Sequence, residues 1–162
     1  MLMKLDDVSI RIATSSDIQD IAHCRANDQA AGPPDSRMCA YFDGAHHPQH
    51  ALLPRIGYVA AVDQTAVGYI AGHLTSRHGC EGEVQYLFVA PAMRRLGIGT
   101  ELLRRMALWF QRHEARRVCV CLDADSPSAR PFYTQSGASQ LSDNRPLWFV
   151  WQDIADSLLR PD

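Results

Sequence analysis

Val89-Ala90-Pro91-Ala92-Met93-Arg94-Arg95-Leu96-Gly97-Ile98-Gly99-Thr100 separates a stretch with strand character from a stretch with helix character. Upstream, residues 84–89 read Val-Gln-Tyr-Leu-Phe-Val, rich in β-branched and aromatic side chains and stopped by Ala90-Pro91. Downstream, Leu102, Leu103, Met106, Ala107 and Phe110 recur at helical spacing, with Arg104, Arg105 and Gln111 off that stripe. Glu101 precedes Arg105 by four residues, the favourable order for a helical ion pair. The sequence between them is therefore a strand-to-helix turn carrying Gly-x-Gly. Glycine permits close backbone approach and positive φ. The first amides of a helix have no partners within it, and the helix dipole favours negative charge there. A pyrophosphate suits such a turn; a purely structural turn is the other reading of Gly-x-Gly alone. A Walker loop would need Gly-Lys-Ser/Thr, which is absent. A dinucleotide fingerprint would need a third glycine where Leu102 stands, and it belongs to the first βα turn of a fold.

Around that turn the charge is uneven. Residues 94–117 hold seven arginines against Glu101 and Glu114, which reads either as a solvated helix face or as a grip on a small polyanion. The whole chain of 162 residues has a net charge of −2, so a general electrostatic hold on nucleic acid is not expected. The length suits one domain spanning 1–162, and 46% hydrophobic with 21% charged residues is a globular composition. No apolar run approaches the roughly 20 residues of a membrane span. The start, Met1-Leu2-Met3-Lys4-Leu5-Asp6-Asp7, lacks an apolar signal core, so a cytoplasmic protein away from membranes is expected.

Working outward, residues 9–12 predict a first strand. Thr14 is positioned to cap the next helix, with Asp17 three residues on and Ile18, Ile21 and Ala22 on its stripe. Gly32-Pro33-Pro34 interrupts the chain, a short helix is expected near 36–42, and 44–54 reads as a loop. Residues 58–62 and 66–72 predict a hairpin turning at Asp63-Gln64-Thr65. After the glycine turn and its helix come a strand at 118–122, a helix opened by Ser126-Pro127 and stopped at Gly137, a strand at 147–151 and a terminal turn of helix at 154–159. This order predicts an α/β (α+β) fold with a mixed sheet and helices on both faces. The apolar 147–151 strand reads either as core or as a surface for a homodimer. The odd number of cysteines, five, and the absence of Cys-x-x-Cys argue for small buried hydrophobes in a reducing compartment. His46, His47 and His50 sit with Gly44 and Pro48, a loop of exposed imidazoles rather than a metal site.

Arg94-Arg-Leu-Gly97-Ile-Gly99 resembles the Arg/Gln-x-x-Gly-x-Gly/Ala motif of the GNAT N-acetyltransferases. Glu83-Val-Gln-Tyr-Leu-Phe-Val89-Ala-Pro91 is similar to that family's central strand. Ala129-Arg-Pro-Phe132-Tyr133-Thr-Gln-Ser-Gly137-Ala is similar to its Ala-x-x-Phe-Tyr segment, and the opening Ile10-Arg-Ile-Ala-Thr-Ser-Ser-Asp17-Ile resembles its first strand and helix. The likeness covers about residues 8–152. It implies a splayed mixed sheet with acetyl-CoA wedged between diverging strands, here 84–89 and 118–122, and no metal.

Carried over residue by residue, the resemblance implies that the backbone of Leu87, Phe88 and Val89 pairs with the pantetheine arm, the Leu87 amide polarising the thioester carbonyl. Arg94, Arg95, Leu96, Gly97, Ile98, Gly99 and Thr100 would hold the pyrophosphate. Tyr133 would be the acid for the leaving thiolate, and Glu83 the base. Where the family often has Asn, this chain has Ser126, with shorter reach toward the cofactor. Gly137-Ala138 replaces the family's Gly-Phe.

Chemistry supports the base: an alkylamine is protonated near pH 7 and must lose a proton before it attacks. Strand alternation sets Gln85 on the face of Glu83. Plainer readings are that Glu83 ends an exposed loop and that Tyr133 packs in the core with its hydroxyl at the rim. The implied activity is transfer of acetyl from acetyl-CoA to a primary amine, of a small molecule, in a ternary complex. A CoA-binding sensor that has lost turnover is the alternative. Asp28, Asp35, Tyr41, Phe42, His73, Arg77, His78 and Tyr86 are candidates to line the acceptor cleft.

Overall fold

A computed structural model describes residues 2–26, 36–122 and 129–161. Among them, strands β1 (Ser9–Ile12), β2 (Ala51–Val62), β3 (Thr65–Thr75), β4 (Gly82–Val89), β5 (Val118–Leu122), β6 (Ser139–Gln140) and β7 (Leu147–Trp151) form one sheet in the order β1-β2-β3-β4-β5-β7-β6. All neighbours are antiparallel except β4 and β5, which run parallel. Helices α1 (Ile18–Ala26) and α2 (Ser36–Phe42) precede β2, α3 (Ile98–Arg112) joins β4 to β5, and α4 (Ala129–Gln135) and α5 (Ile154–Leu158) follow.

The two faces of the sheet carry different helices. Ile70, Val84, Val118, Val120, Phe149 and Trp151 pack with Leu102, Leu103, Met106 and Phe110 of α3 and Ile154 of α5 in one buried cluster. On the opposite face Val59, Tyr69 and Phe88 pack with Ile21 of α1 and Met38 of α2. Fully burying each such aliphatic or aromatic side chain contributes roughly 1.5–3 kcal/mol before chain entropy is counted. The β2–β3 hairpin turns through Asp63 and Gln64, both at positive φ (49° and 69°), as a two-residue turn matched to strand twist requires.

Several expectations are altered by tertiary pairing. Residues 51–54, read as loop, begin β2, because Ala51 and Leu52 pair with Thr75 and Leu74. The two-residue strand β6 has no sequence signal and exists by pairing with Val150 and Phe149. The 147–151 strand is core: β7 lies between β5 and β6, with Phe149, Val150 and Trp151 at most 2% exposed. Cys80 and Cys119 are buried, as small hydrophobes would be, but Cys121 is exposed. The cap expected from Ser126-Pro127 lies outside the described residues.

At the start of α1 the stabilising carboxylate is Asp17. It accepts the Thr14 amide at 2.7 Å and both Arg11 guanidinium nitrogens at 2.7 Å. The Arg11 hydrogen bonds hold its carboxyl down at about 2, below the usual 3.8. A depressed folded value contributes stability that is present above pH 3.8 and lost as pH falls toward 2. Asp17→Asn is expected to cost about 1–2 kcal/mol at pH 7, through the lost cap and ion pair. The cost should shrink as thermal melts are repeated from pH 7 down to pH 3.

Candidate active site

β4 and β5 stay paired only from Gly82–Val118 to Val84–Val120; beyond that β4 continues to Val89 with β3 on one side and no strand on the other. The Ala90 amide donates to the Val67 carbonyl on β3 at 2.8 Å. Because peptide direction alternates along a strand, the amides of Phe88 and Tyr86 also face β3, whereas those of Leu87 and Val89 face the gap. The Val89 carbonyl is on the gap side too, where it accepts Arg94 Nε at 2.9 Å. Arg94, expected to lead the anion grip, thus anchors the turn to the strand end through one of its nitrogens.

The turn leads straight into α3. Its N-cap, Gly97, is left-handed at φ 86°, a conformation that disfavours any residue with a Cβ. The first main-chain bond of the helix is Glu101 N–H to the Gly97 carbonyl at 3.0 Å, and among the described residues the amides of 95–100 have no main-chain acceptor. No side chain caps them at Gly97. Arg95, Gly97 and Thr100 are exposed, Leu96 and Gly99 half-buried, and Ile98 is anchored in the core. A Cβ on Gly99 would stand 3.5 Å from the Phe132 ring and 3.8 Å from Val89 Cγ2, so α4 and the end of β4 close over that turn. These residues fit a pyrophosphate: free donors, local positive charge and a backbone open to close approach.

Tyr133 lies on α4, 7% exposed, its ring 5.7 Å from Trp151 and 5.2 Å from Phe132. Burial pushes its hydroxyl above the ordinary tyrosine value, so the proton stays on through neutral and mildly alkaline pH. Ser126 lies outside the described residues.

Glu83 is 3% exposed and stands directly opposite His73 across the β3–β4 ladder. Its Oε2 is 2.9 Å from His73 Nε2, and its Oε1 is 3.7 Å from Arg77 Nε. His73 is fully buried, and its Nδ1 is 2.9 Å from the Tyr41 hydroxyl. Burial pushes that hydroxyl above the usual tyrosine range. Arg55 lies over the Tyr41 ring at 4.7 Å and donates to the Tyr41 and His46 carbonyls. His73 and Tyr41 therefore stand behind Glu83 instead of lining an open cleft. The sequence reading missed this chain, since only the strand register reveals it.

Strand alternation is interrupted just past Glu83. The register slips between Ala71–Tyr86 and Gly72–Val84, leaving Gln85 as a bulge. Val84 and Leu87 then face the α3 side, whereas Tyr86 and Phe88 face α2, with the Tyr86 ring 5.4 Å from Tyr41. Gln85 Oε1 is buried without a hydrogen-bond partner among the described residues. Arg77 also lies over Trp148 at 4.8 Å, and His78 packs against the same ring at 4.9 Å. Among the described residues no group of three His, Cys, Asp or Glu is placed to hold a metal ion, and no helix is long and apolar enough to cross a membrane.

The family model described as Acetyltransferase (GNAT) family matches residues 21–138. A mycothiol acetyltransferase from Corynebacterium diphtheriae is 41% identical over 80 residues, 45% of this chain and 26% of that protein; the match thus spans about a quarter of the relative's length. Among solved structures, an acetyltransferase from Thermus thermophilus superposes with a TM-score of 0.72 at 16% identity, over 91% of this chain and 98% of that one. The PaiA N-acetyltransferase of Thermoplasma acidophilum, solved with coenzyme A, gives 0.68 at 13% identity over 90% and 98%. These structures share the fold of this chain, a mixed sheet with flanking helices. With its motif-bearing turn inside the matched residues, the chain belongs to the GNAT acetyltransferase family.

Proposed function

We propose that this protein transfers the acetyl group of acetyl-CoA to a primary amine of a small-molecule acceptor, by direct attack in a ternary complex. The observation that carries the reading is the parting of β4 from β5 after Val84, which turns the Leu87 and Val89 amides toward a gap that ends at the amides of 95–100, which have no main-chain acceptor among the described residues. The bound thioester supplies an activated acyl carbonyl. The open edge of β4 pairs with the pantetheine arm as an added strand, and the Leu87 N–H donates to the thioester oxygen, where negative charge develops. The amides at the head of α3 hold the pyrophosphate, with Arg95 beside them. Glu83 takes a proton from the acceptor ammonium, directly or through one water. Tyr133 returns a proton to the departing thiolate. The likeness to a mycothiol acetyltransferase adds that enzyme's acceptor to the amines to be tried.

The decisive experiment measures free thiol released from acetyl-CoA over a panel of amines, amino acids and peptides, alongside calorimetry with CoA. Release with at least one amine is expected. Tight CoA binding without release for any acceptor would mark a sensor, and no CoA binding would overturn both readings. A further prediction concerns the acid. Tyr133→Phe should lower kcat by ~10²-fold with CoA affinity unchanged, the scale of a lost general acid. Because the raised hydroxyl keeps its proton, the wild-type rate should show no alkaline decline from this group up to pH 10.

A further inference from the structure

Two buried thiols near Glu83 take no part in the acetyl-transfer chemistry. Strand alternation turns Cys119 of β5 away from α3, because its neighbours Val118 and Val120 pack in the α3 cluster. Across the sheet Cys119 stands in one row with Glu83 of β4 and Val150 of β7. The turn before β4 folds back over that row. Its Cys80 amide donates to the Arg77 carbonyl at 2.8 Å, and His78 and Gly79 sit at positive φ (53° and 69°). Arg77 and His78 both lie against the Trp148 ring of β7, so the turn crosses β5 to reach it. Cys80 is thereby buried in one cluster with Cys119, Val150 and Trp148. The Cys119 thiol donates a hydrogen bond to the Cys80 sulfur.

We infer that Cys80 and Cys119 form a dithiol that a peroxide converts to a disulfide within the chain. Cys80 is the attacking sulfur. The hydrogen bond from Cys119 and the Arg117 guanidinium favour its thiolate and hold it down at about 7, against the charge of Glu83. Donating that bond, together with burial, pushes the Cys119 thiol up. Cys80 is 4% exposed and lines an open cavity of about 450 Å³ with Thr75, Glu81 and His113, room for a small oxidant. Cys119 is fully buried and serves as the resolving thiol. In the first step the Cys80 thiolate attacks one oxygen of hydrogen peroxide, the O–O bond breaks and hydroxide leaves, giving a sulfenic acid. In the second the Cys119 sulfur attacks the Cys80 sulfur and displaces hydroxide, which takes the Cys119 proton and departs as water. Two thiols lose two electrons, and one peroxide is reduced to two waters. A small dithiol reverses the bond by exchange. The bond ties to β5 the turn that carries Arg77, whose Nε is 3.7 Å from Glu83 Oε1.

The test treats the folded, reduced, wild-type protein with hydrogen peroxide, blocks the remaining thiols and maps the peptides by mass spectrometry. Fragmentation distinguishes Cys119 from Cys121, two residues away on the same strand. We expect one linkage, Cys80 to Cys119, formed within single chains, with two thiols and two hydrogens lost and both thiols restored by dithiothreitol. Cys119→Ser should stop at a sulfenic acid on Cys80, captured by dimedone, because serine cannot close the bond. Three results would each overturn the inference. Cys80 could be joined to a cysteine other than Cys119. It could be carried to sulfinic acid while Cys119 stays a free thiol. Both thiols could survive an excess of peroxide. The linkage is read in the wild-type chain, so the decision does not depend on a variant that folds. It is also independent of acetyl transfer and of the role proposed for Glu83.

Discussion

Glu83→Gln will lower kcat by ~10²–10³-fold at pH 7 while leaving acetyl-CoA affinity unchanged, the scale of a lost general base. The substitution is nearly isosteric, so packing around the buried side chain is kept. A carboxamide can still hydrogen-bond to His73 but cannot accept the acceptor's proton. Coenzyme affinity should hold because the donors proposed for the pyrophosphate lie at the head of α3, and those proposed for the pantetheine arm lie on β4 past the bulge. The pH profile gives a sharper sign. An acceptor amine with an ordinary alkylamine pKa near 10.4 gains about tenfold in neutral fraction per pH unit below that value. The Glu83→Gln rate should therefore climb roughly tenfold per unit from pH 7 to 9, while the wild type levels off. Steady-state kinetics with a responding amine, and calorimetry with CoA, read both effects. A Glu83→Gln enzyme at wild-type turnover with a flat profile would remove Glu83 from the chemistry.

What the sequence shows about this site follows how local each signal is. The turn at 94–99 is legible because its requirements are local: a glycine that can sit at φ 86°, a helix beginning at once and a strand that has just ended. The open edge of β4 is legible only through the resemblance, since a run of six apolar and polar residues does not say where its neighbour leaves. The chain from Glu83 through His73 to Tyr41 was not legible. Counting the β3–β4 register back from Val67–Ala90 would set His73 against Val84; the bulge at Gln85 shifts the pairing by one and sets it against Glu83. The same bulge explains why Tyr86, three residues on, shares the face of Glu83. Tyr41 comes from a seven-residue helix whose docking is decided by tertiary contacts with Tyr69 and Tyr86 around Phe42. The start of β2 lies in the Gly44-to-Pro54 stretch that reads as loop, yet the strand there is set by pairing with β3.

Gly72→Val will damage stability and turnover together, because this glycine lets β3 lie against the bulge that aims Glu83. A Cβ at position 72 would stand 2.7 Å from the Glu83 carbonyl oxygen and 3.3 Å from Met106 Cε and Sδ. Met106 is a flexible thioether and can give way. The carbonyl is backbone and can move only if β4 moves. Overpacking of this kind costs about 2–3 kcal/mol, and more where backbone must shift, which lowers Tm by roughly 4–12 °C for a chain of this size. The displaced residue is Glu83 itself, whose contact with His73 is 2.9 Å. An ångström of movement there breaks the hydrogen bond and misplaces the carboxylate, and misplacements of that size cost about 10²-fold in rate. Thermal melts and kinetics at 15–20 °C, where the variant stays folded, separate the two effects. Loss of turnover in the folded variant, with CoA affinity kept, would show that the close approach of Gly72 to the Glu83 carbonyl is a catalytic constraint as well as a packing one. A Gly72→Val protein that is less stable but turns over at the wild-type rate would show that Glu83 keeps its aim when β4 shifts.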